Sequence, residues 1–376
     1  MRTPLAWRNV TQSRTRSLVA LTGISFALLL IFMQLGFYAA AGKGATQVHD
    51  ALDFDLLIIS PEYVFVAQPA RFPRDRLEQV RAVGGVVSVT PIWLGLGEWR
   101  NPESRERWNI LSLGVEPGSR PFLTRGLNDE ISRLTVADTA LADSISRPEH
   151  GRIRPGVRSE VEDHRIRIVG DYAIGAGFVA GATMITGRDT FLRLFREGSA
   201  DEVSLGLVKL APGTTPERTA AQLRQILAPA ATVLTRSELT AAEQTYWLRV
   251  KPIGLMFTSG VMVAFMAGGV ILYQVLASEV QNRLREYATL RALGYGDRYV
   301  YGIVLRQALI FSGTGFLPAL CLALGLYFLL RTQAFVPVTM EFTRVAGVLL
   351  LALTMSLGAT YLAIRKLRAA DPADLF

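Results

Sequence analysis

The chain has a single cysteine in 376 residues, and that residue, Cys321, lies inside an apolar run. An intramolecular disulfide is therefore excluded, so any part folded outside a membrane must rest on its packed core. Histidine is almost as scarce. His49, His150 and His164 form no HExxH spacing and read as scattered surface residues. His49 beside Asp50 makes no catalytic pair, because neighbours on a helix point in different directions. No GxSxG marks a nucleophile elbow, and no GxxxxGK followed by Ser or Thr is present to cradle phosphates. The sole Gly-Lys pair, Gly42 and Lys43, lacks the upstream glycine and is followed by Gly44. The expectation is a non-enzyme without a cofactor, any nucleotide hydrolysis belonging to another chain.

Charge is missing from four long stretches: Ser17 to Gly42, Pro252 to Ser278, Gln307 to Leu330 and Val345 to Ile364. Each is long enough to cross a hydrocarbon core, which takes about 20 residues. The first is too long for a signal-peptide apolar region and reads as a retained anchor. Arg2, Arg8, Arg14 and Arg16 precede the first stretch without an acid among them, and Arg365, Lys366 and Arg368 follow the last. By the positive-inside rule both termini face the cytoplasm, the loop from Glu279 to Arg306 carrying Arg283, Arg285, Arg291, Arg298 and Arg306 does too, and the large segment between the first two spans lies outside.

The net charge of +8 is consequently a matter of topology. Between Lys43 and Lys251 basic and acidic residues balance, and the excess sits on the membrane flanks, which argues against a nucleic-acid surface. That external segment has α/β texture. Leu56–Ser60, Val86–Trp93, Trp108–Val115, Arg165–Gly170, Phe178–Thr186, Val203–Leu210 and Thr232–Thr235 read as strands. Arg74–Val83, Arg188–Arg196, Thr215–Leu227 and Ser237–Lys251 read as helices, the last with Ser237 as its N-cap. The polar section from Asn128 to Asp163 suggests a small subdomain or exposed loops. Phe65, Trp93 and Trp99 are aromatic candidates for a lipid or amphiphile surface, or for the core.

Within the second span Gly260, Ala264 and Gly268 recur every four residues and form a ridge for helix packing, either across a dimer or inside one subunit. Gln34, Gln274 and Gln307 are the polar groups in or at the ends of spans, and hydrogen bonding to a neighbouring helix is their simplest role.

Between the second and third spans runs LREYATLRALGYGD, residues 284 to 297. Val280, Leu284, Tyr287 and Ala288 recur at helical spacing, Glu279 and Arg283 are placed for an i,i+4 ion pair, and Gly294 stands where a C-cap belongs. A short helix there can dock a cytosolic protein; the alternative is a basic loop that only fixes topology.

This segment resembles the coupling region of permease subunits of the MacB and FtsX type of ABC transporter, the mechanotransmission or type VII class. FMQLGF at 32 to 37, DLLIISPEY at 55 to 63, YQVLASEV at 273 to 280 and KLRAADPADLF at 366 to 376 look most like the DevC export permeases. The resemblance implies an α-helical membrane protein with four transmembrane helices in a 1+3 arrangement and a large α/β periplasmic domain inserted between the first two spans. Its implied boundaries are a cytosolic segment 1–16, span 17–42, periplasmic domain 43–251 with a small subdomain near 95–170, span 252–278, coupling helix and loop 279–299, span 300–330, periplasmic loop 331–343, span 344–364 and tail 365–376. Leu284, Glu286, Tyr287, Leu290, Arg291, Ala292 and Gly294 are the implied ATPase-coupling residues.

The partners so implied are a cytosolic ABC ATPase that binds the ATP, a second copy of the chain, a periplasmic adaptor, an outer-membrane channel and membrane lipid. The implied location is the bacterial inner membrane and the implied activity export of a glycolipid or other hydrophobic compound. A lipoprotein-releasing permease or an FtsX-like regulator of a cell-wall hydrolase is the alternative.

Overall fold

The computed structural model describes residues 14–175, 177, 179–195, 199–333 and 335–369. The chain divides into two compact units, one of 1–40, 254–333 and 338–376, the other of 41–253 and 334–337. Expected features that fall outside the described residues are the basic positions Arg2 and Arg8 and the 370–376 part of the C-terminal tail.

The first unit is helical. It draws on α1 (Arg14–Asp50), α7 (Ile253–Asn282), α8 (Leu284–Ala292), α9 (Asp297–Gln333) and α10 (Phe342–Ala369). Four of these, all but α8, are long and apolar enough to cross a membrane. Their buried faces share one core, in which Ile24, Leu28, Ile31 and Phe32 of α1 meet Leu272 and Leu276 of α7, Val304 and Ala308 of α9, and Ala352 and Met355 of α10. Leu255, Met256, Met262, Val263 and Met266 of α7 stay exposed, as expected of residues whose solvent is lipid. Polar bonds between these helices include that of Ser312, which donates to the Ala352 carbonyl at 3.2 Å, and that of the Tyr327 hydroxyl, which donates to the Phe32 carbonyl.

The second unit is built on a nine-stranded sheet. Its strands are β1 (Leu56–Ile59), β3 (Val86–Arg100), β4 (Arg107–Val115), β5 (Thr139–Asp143), β6 (Arg158–Val161), β7 (His164–Tyr172), β8 (Ala182–Gly187), β10 (Leu205–Leu210) and β11 (Thr232–Thr235), in the order β11-β1-β10-β3-β4-β8-β5-β7-β6. Two short strands, β2 (Phe72–Pro73) and β9 (Glu202–Val203), pair separately. All neighbours are antiparallel except β4 with β8 and β5 with β7.

The sheet closes on itself at one end, because β6 also pairs with the far end of β3 through Trp99↔Val161 and Arg100↔Glu160. Strands β3, β4, β8, β5, β7 and β6 therefore form a ring of pairings that abolishes the free edge. Its filling is Trp99, Ile110, Ala140, Ala142, Val161, Ile166, Ile168 and Met184. The stretch 95–170, expected as a small subdomain, is part of this ring and shares β3 with the open half of the same sheet. Likewise the polar section 128–163 is not a set of loops, since it supplies β5, β6 and part of α3 (Arg125–Ile131).

The open half carries α2 (Asp75–Arg81) and α5 (Pro216–Leu227) on one face; α4 (Arg188–Leu194) packs along β4 and β8. Every residue of β1 is buried, as its unbroken apolar run requires: Leu56 and Ile58 enter one core, Leu57 and Ile59 the other. Alternation along β3 places Trp93, Gly95, Gly97 and Trp99 on one face. The glycines make room for Phe195, whose ring atoms would lie 2.8 Å from a Cβ at position 95. Trp93 and Trp99 are thus core residues, 1% and 0% exposed, and not a ligand surface. Phe65 is half-buried and stacks on Tyr246 with centroids 4.8 Å apart.

The helix α6 (Arg236–Thr245) starts earlier than Ser237. Its N-cap is Thr235, which closes a capping box with Glu238, and five further residues, Tyr246–Val250, continue as a π-helical turn.

Candidate functional site

The segment α8 is a helix of nine residues between two candidate spans, α7 and α9. So short a helix is marginal on its own and needs docking. Tyr287 supplies it: the ring is 4% exposed and belongs to the helical core with Val280, Val300 and Val304, flanked by the half-buried Leu284 and Leu290. Burial pushes the Tyr287 phenol up to about 12, and its hydroxyl has no partner among the described residues.

Arg283 joins the two helices, with Nε 2.5 Å from Glu279 Oε1 and Nη1 3.2 Å from Glu286 Oε2. The second of these pairs is the more exposed and contributes little to stability. Gly294 has φ +88°, the left-handed conformation that glycine adopts without penalty. The Tyr295 N–H reaches back to the Leu290 carbonyl at 3.1 Å and the Leu293 N–H to Thr289 at 3.0 Å, which satisfies the end of the helix.

Of the sequence-derived candidates, Tyr287 therefore faces the bundle, Leu284 and Leu290 lie at its border, and Glu286 and Gly294 are exposed. The side chains of Arg291 and Ala292 lie outside the described residues. Sequence reasoning passed over the surface just beyond the cap, where Leu293, Tyr295 and Tyr299 are exposed and the two tyrosine rings lie 4.8 Å apart.

Gly260, Ala264 and Gly268 pack inside the bundle. A Cβ at position 260 would lie 2.5 Å from the Gln34 amide, and one at 268 would lie 2.7 Å from Met355 Sδ and 2.9 Å from Ala27 Cβ. Ala264 is 3% exposed. Gln307 is buried and its amide has no partner among the described residues, while Gln274 is exposed.

Two buried polar clusters in the α/β unit were not foreseen. His49 and His150, expected at the surface, are each 1% exposed. His150 Nε2 lies 3.0 Å from the Asn109 carbonyl, and burial pushes its imidazole below the usual range. His49 Nε2 lies 3.2 Å from the Tyr63 hydroxyl, which in turn donates to Glu243 Oε1 of α6. Burial raises the Glu243 carboxyl to about 7, against the hydrogen bond from Tyr63 that favours its ionised form. Burial and the neighbouring carboxyl push the Tyr63 phenol well above its ordinary value.

The second cluster is a caged carboxylate. Asp143 is 1% exposed and accepts from the amides of Ile145 (3.0 Å), Ile174 (3.4 Å) and Gly175 (2.5 Å) and from the Thr183 hydroxyl (2.8 Å). Burial raises its carboxyl despite these donors. The cage fixes the loop after β7, to which Gln47 of α1 donates at the Ile174 carbonyl, 2.6 Å away. Among the described residues no group of three His, Cys, Asp or Glu side chains gathers to hold a metal.

Residues 258–372 match the family described as FtsX-like permease C-terminal, the stretch that contains α8 and its flanking helices. Among solved structures the chain is similar to the periplasmic region of MacB from Actinobacillus actinomycetemcomitans, with 11% identity over 52% of this chain and 93% of that one and a TM-score of 0.37. It is also similar to the extracellular domain of the noncanonic ABC-type transporter YknZ from Gram-positive bacteria, with 15% identity over 48% and 99% and a TM-score of 0.34. No curated protein matches the chain.

Proposed function

We propose that the chain is the permease subunit of an ABC-type exporter, in which a separate cytosolic ATPase supplies the energy and α8 is the element it grips. One observation carries the reading: the FtsX-like permease region, residues 258–372, places a short docked helix between two candidate membrane spans. The surface available to an ATPase combines the exposed Glu286 with the half-buried Leu290 and the exposed Leu293, Tyr295 and Tyr299. A charged residue beside apolar and aromatic groups is the composition of a protein–protein contact.

In this reading closure of the ATPase dimer shifts α8, and the shift passes through α7 and α9 to the α/β unit outside. The stretches Ser17–Gly42, Pro252–Ser278, Gln307–Leu330 and Val345–Ile364 carry no acidic or basic residue, Arg306 and Arg344 standing just outside them, which supports work done by conformational change over passage of a polar compound through the bundle. A homodimer, a periplasmic adaptor and an outer-membrane channel, with a glycolipid or another hydrophobic compound as cargo and the inner membrane as location, complete the DevC-like assignment.

The test is ATPase turnover in lipid nanodiscs with a candidate ABC ATPase, alone, with the native chain, and with the chain carrying Glu286→Ala and Leu290→Asp. The native chain is expected to bind the ATPase and change its turnover, and the double variant to lose both. An ATPase that neither binds nor responds to the native chain in several lipid mixtures removes the permease reading.

A further inference from the structure

We infer that the loop after β1 and the π-helical turn Tyr246–Val250 form a lipid-contacting foot of the α/β unit, whose partner is the phospholipid headgroup layer of the membrane that α7 enters. Side chains join the two segments. Phe65 of the loop stacks on Tyr246 with centroids 4.8 Å apart and meets Trp247 edge-on at 5.5 Å, and the two rings of the turn meet edge-on at 5.8 Å. Two residues before Phe65, the Tyr63 hydroxyl donates to Glu243 Oε1 and so ties the loop to α6. The loop is also closed on itself, with the Val64 N–H on the Gln68 carbonyl at 3.2 Å and the Gln68 N–H on the Phe65 carbonyl at 2.8 Å.

This cluster is unlike the cores of the same unit. Its three rings are only half-buried, and the apolar residues beside them, Val64 and Val250, are 46% and 67% exposed. Two cations flank them: Arg249 is exposed, and Lys251 holds its Nζ 5.7 Å from the Tyr246 ring centroid. Glu62 is the single acid in residues 61–70 and 246–252, so the cations outnumber it. Tyrosine and tryptophan beside lysine or arginine is the composition found at a membrane–water interface. The ring faces meet the acyl boundary, their polar edges stay among the headgroups, and the cations reach phosphate while their stems cover apolar surface.

Position along the chain supplies the lipid. After Val250 come Lys251 and Pro252, and α7 begins at Ile253 with Leu255 and Met256 exposed in its first turn. Three residues of chain reach about 11 Å at most, so the turn stays against the headgroup layer through which α7 passes. The sheet provides a reference point on the opposite side. Ile59, the last residue before the loop, pairs with Leu205, which pairs with Ile92; the exposed Val87 lies five residues back along β3, about 17 Å from that end. The inference rests on α7 crossing a membrane and is independent of the ATPase reading of α8.

Spin labelling of the full chain in nanodiscs tests it. In a Cys321→Ala background, Val64→Cys, Val250→Cys, Val87→Cys and Met262→Cys each carry a nitroxide, and its collisions with oxygen, which prefers lipid, are compared with those with a water-soluble nickel chelate. Met262 is an exposed residue of α7 and reports the span itself. In phosphatidylcholine the oxygen-to-nickel ratio is expected to be highest at position 262 and several-fold higher at positions 64 and 250 than at 87. Adding anionic phosphatidylglycerol should raise it further at 64 and 250, and Arg249→Gln with Lys251→Gln should remove that further rise. If the label at 262 meets water, the span and the foot fall together. A label at 262 in lipid, with 64 and 250 as open to nickel as 87, overturns the foot alone, and so does a phosphatidylglycerol response that is unchanged in the double variant.

Discussion

Tyr287 decides whether α8 is a docked lever or a loosely tethered loop. Replacing its buried ring by alanine removes the one buried side chain among the described side chains of this nine-residue helix. Deleting a buried aromatic ring costs about 3–5 kcal/mol, and a helix this short has little intrinsic stability to offset the loss. At about 1.4 kcal/mol per factor of ten, Tyr287→Ala should raise the local opening constant of α8 by roughly two to three and a half orders of magnitude. Tyr287→Phe should act in the other direction. It keeps the ring and removes a hydroxyl that is buried without a partner among the described residues, a group that costs about 1–3 kcal/mol.

Hydrogen exchange across residues 284–292 in nanodiscs reads both effects. The alanine variant should exchange much faster over this segment with the spans unaffected, and the phenylalanine variant as slowly as the native chain or more slowly. If Tyr287→Phe loosens α8 as much as Tyr287→Ala does, the hydroxyl is working and the burial account of this helix is wrong.

Gly268→Ala should lower the thermal unfolding temperature of the chain in nanodiscs, because the new methyl meets Ala27 Cβ at 2.9 Å and overpacking costs about 1–3 kcal/mol; Gly269→Ala, whose methyl meets only Met355 Cγ at 3.6 Å, should not. Asp143→Ala strips the acceptor from three amides, that of Gly175 fully buried, and from the Thr183 hydroxyl, so it should destabilise the α/β unit by about 3 kcal/mol, read by denaturant unfolding, and it should speed exchange in the 173–175 loop first.

What could be read in the sequence follows from range. The four membrane-length helices are visible because each is a property of some twenty consecutive residues. The α8 helix is visible because its apolar spacing, ion pair and capping glycine lie within one short segment. Most strands were foreseen for the same local reason, although β3 runs seven residues past Trp93, through Gly95 and Gly97, over which Phe195 lies. Closure of β6 onto β3 left no trace, because Trp99 and Val161 meet only through the folded topology. The same holds for the histidines. His49 looks like a solvated residue at the end of a helix until Tyr63 and Glu243 are brought to it, and nothing in the adjacent Asp50 announces that burial.

The long strand β3 has a mechanical meaning. At about 3.3 Å per residue its 15 residues extend roughly 50 Å, with one half in the open sheet and the other in the closed ring. A joint between two lobes normally falls in a linker where the backbone can bend cheaply. Here the two lobes share one strand, whose residues up to Ile92 pair with β10 and whose residues from Ile92 onward pair with β4. A displacement of the open sheet therefore reaches the ring through the continuous backbone of β3, with no linker between the two lobes to absorb it.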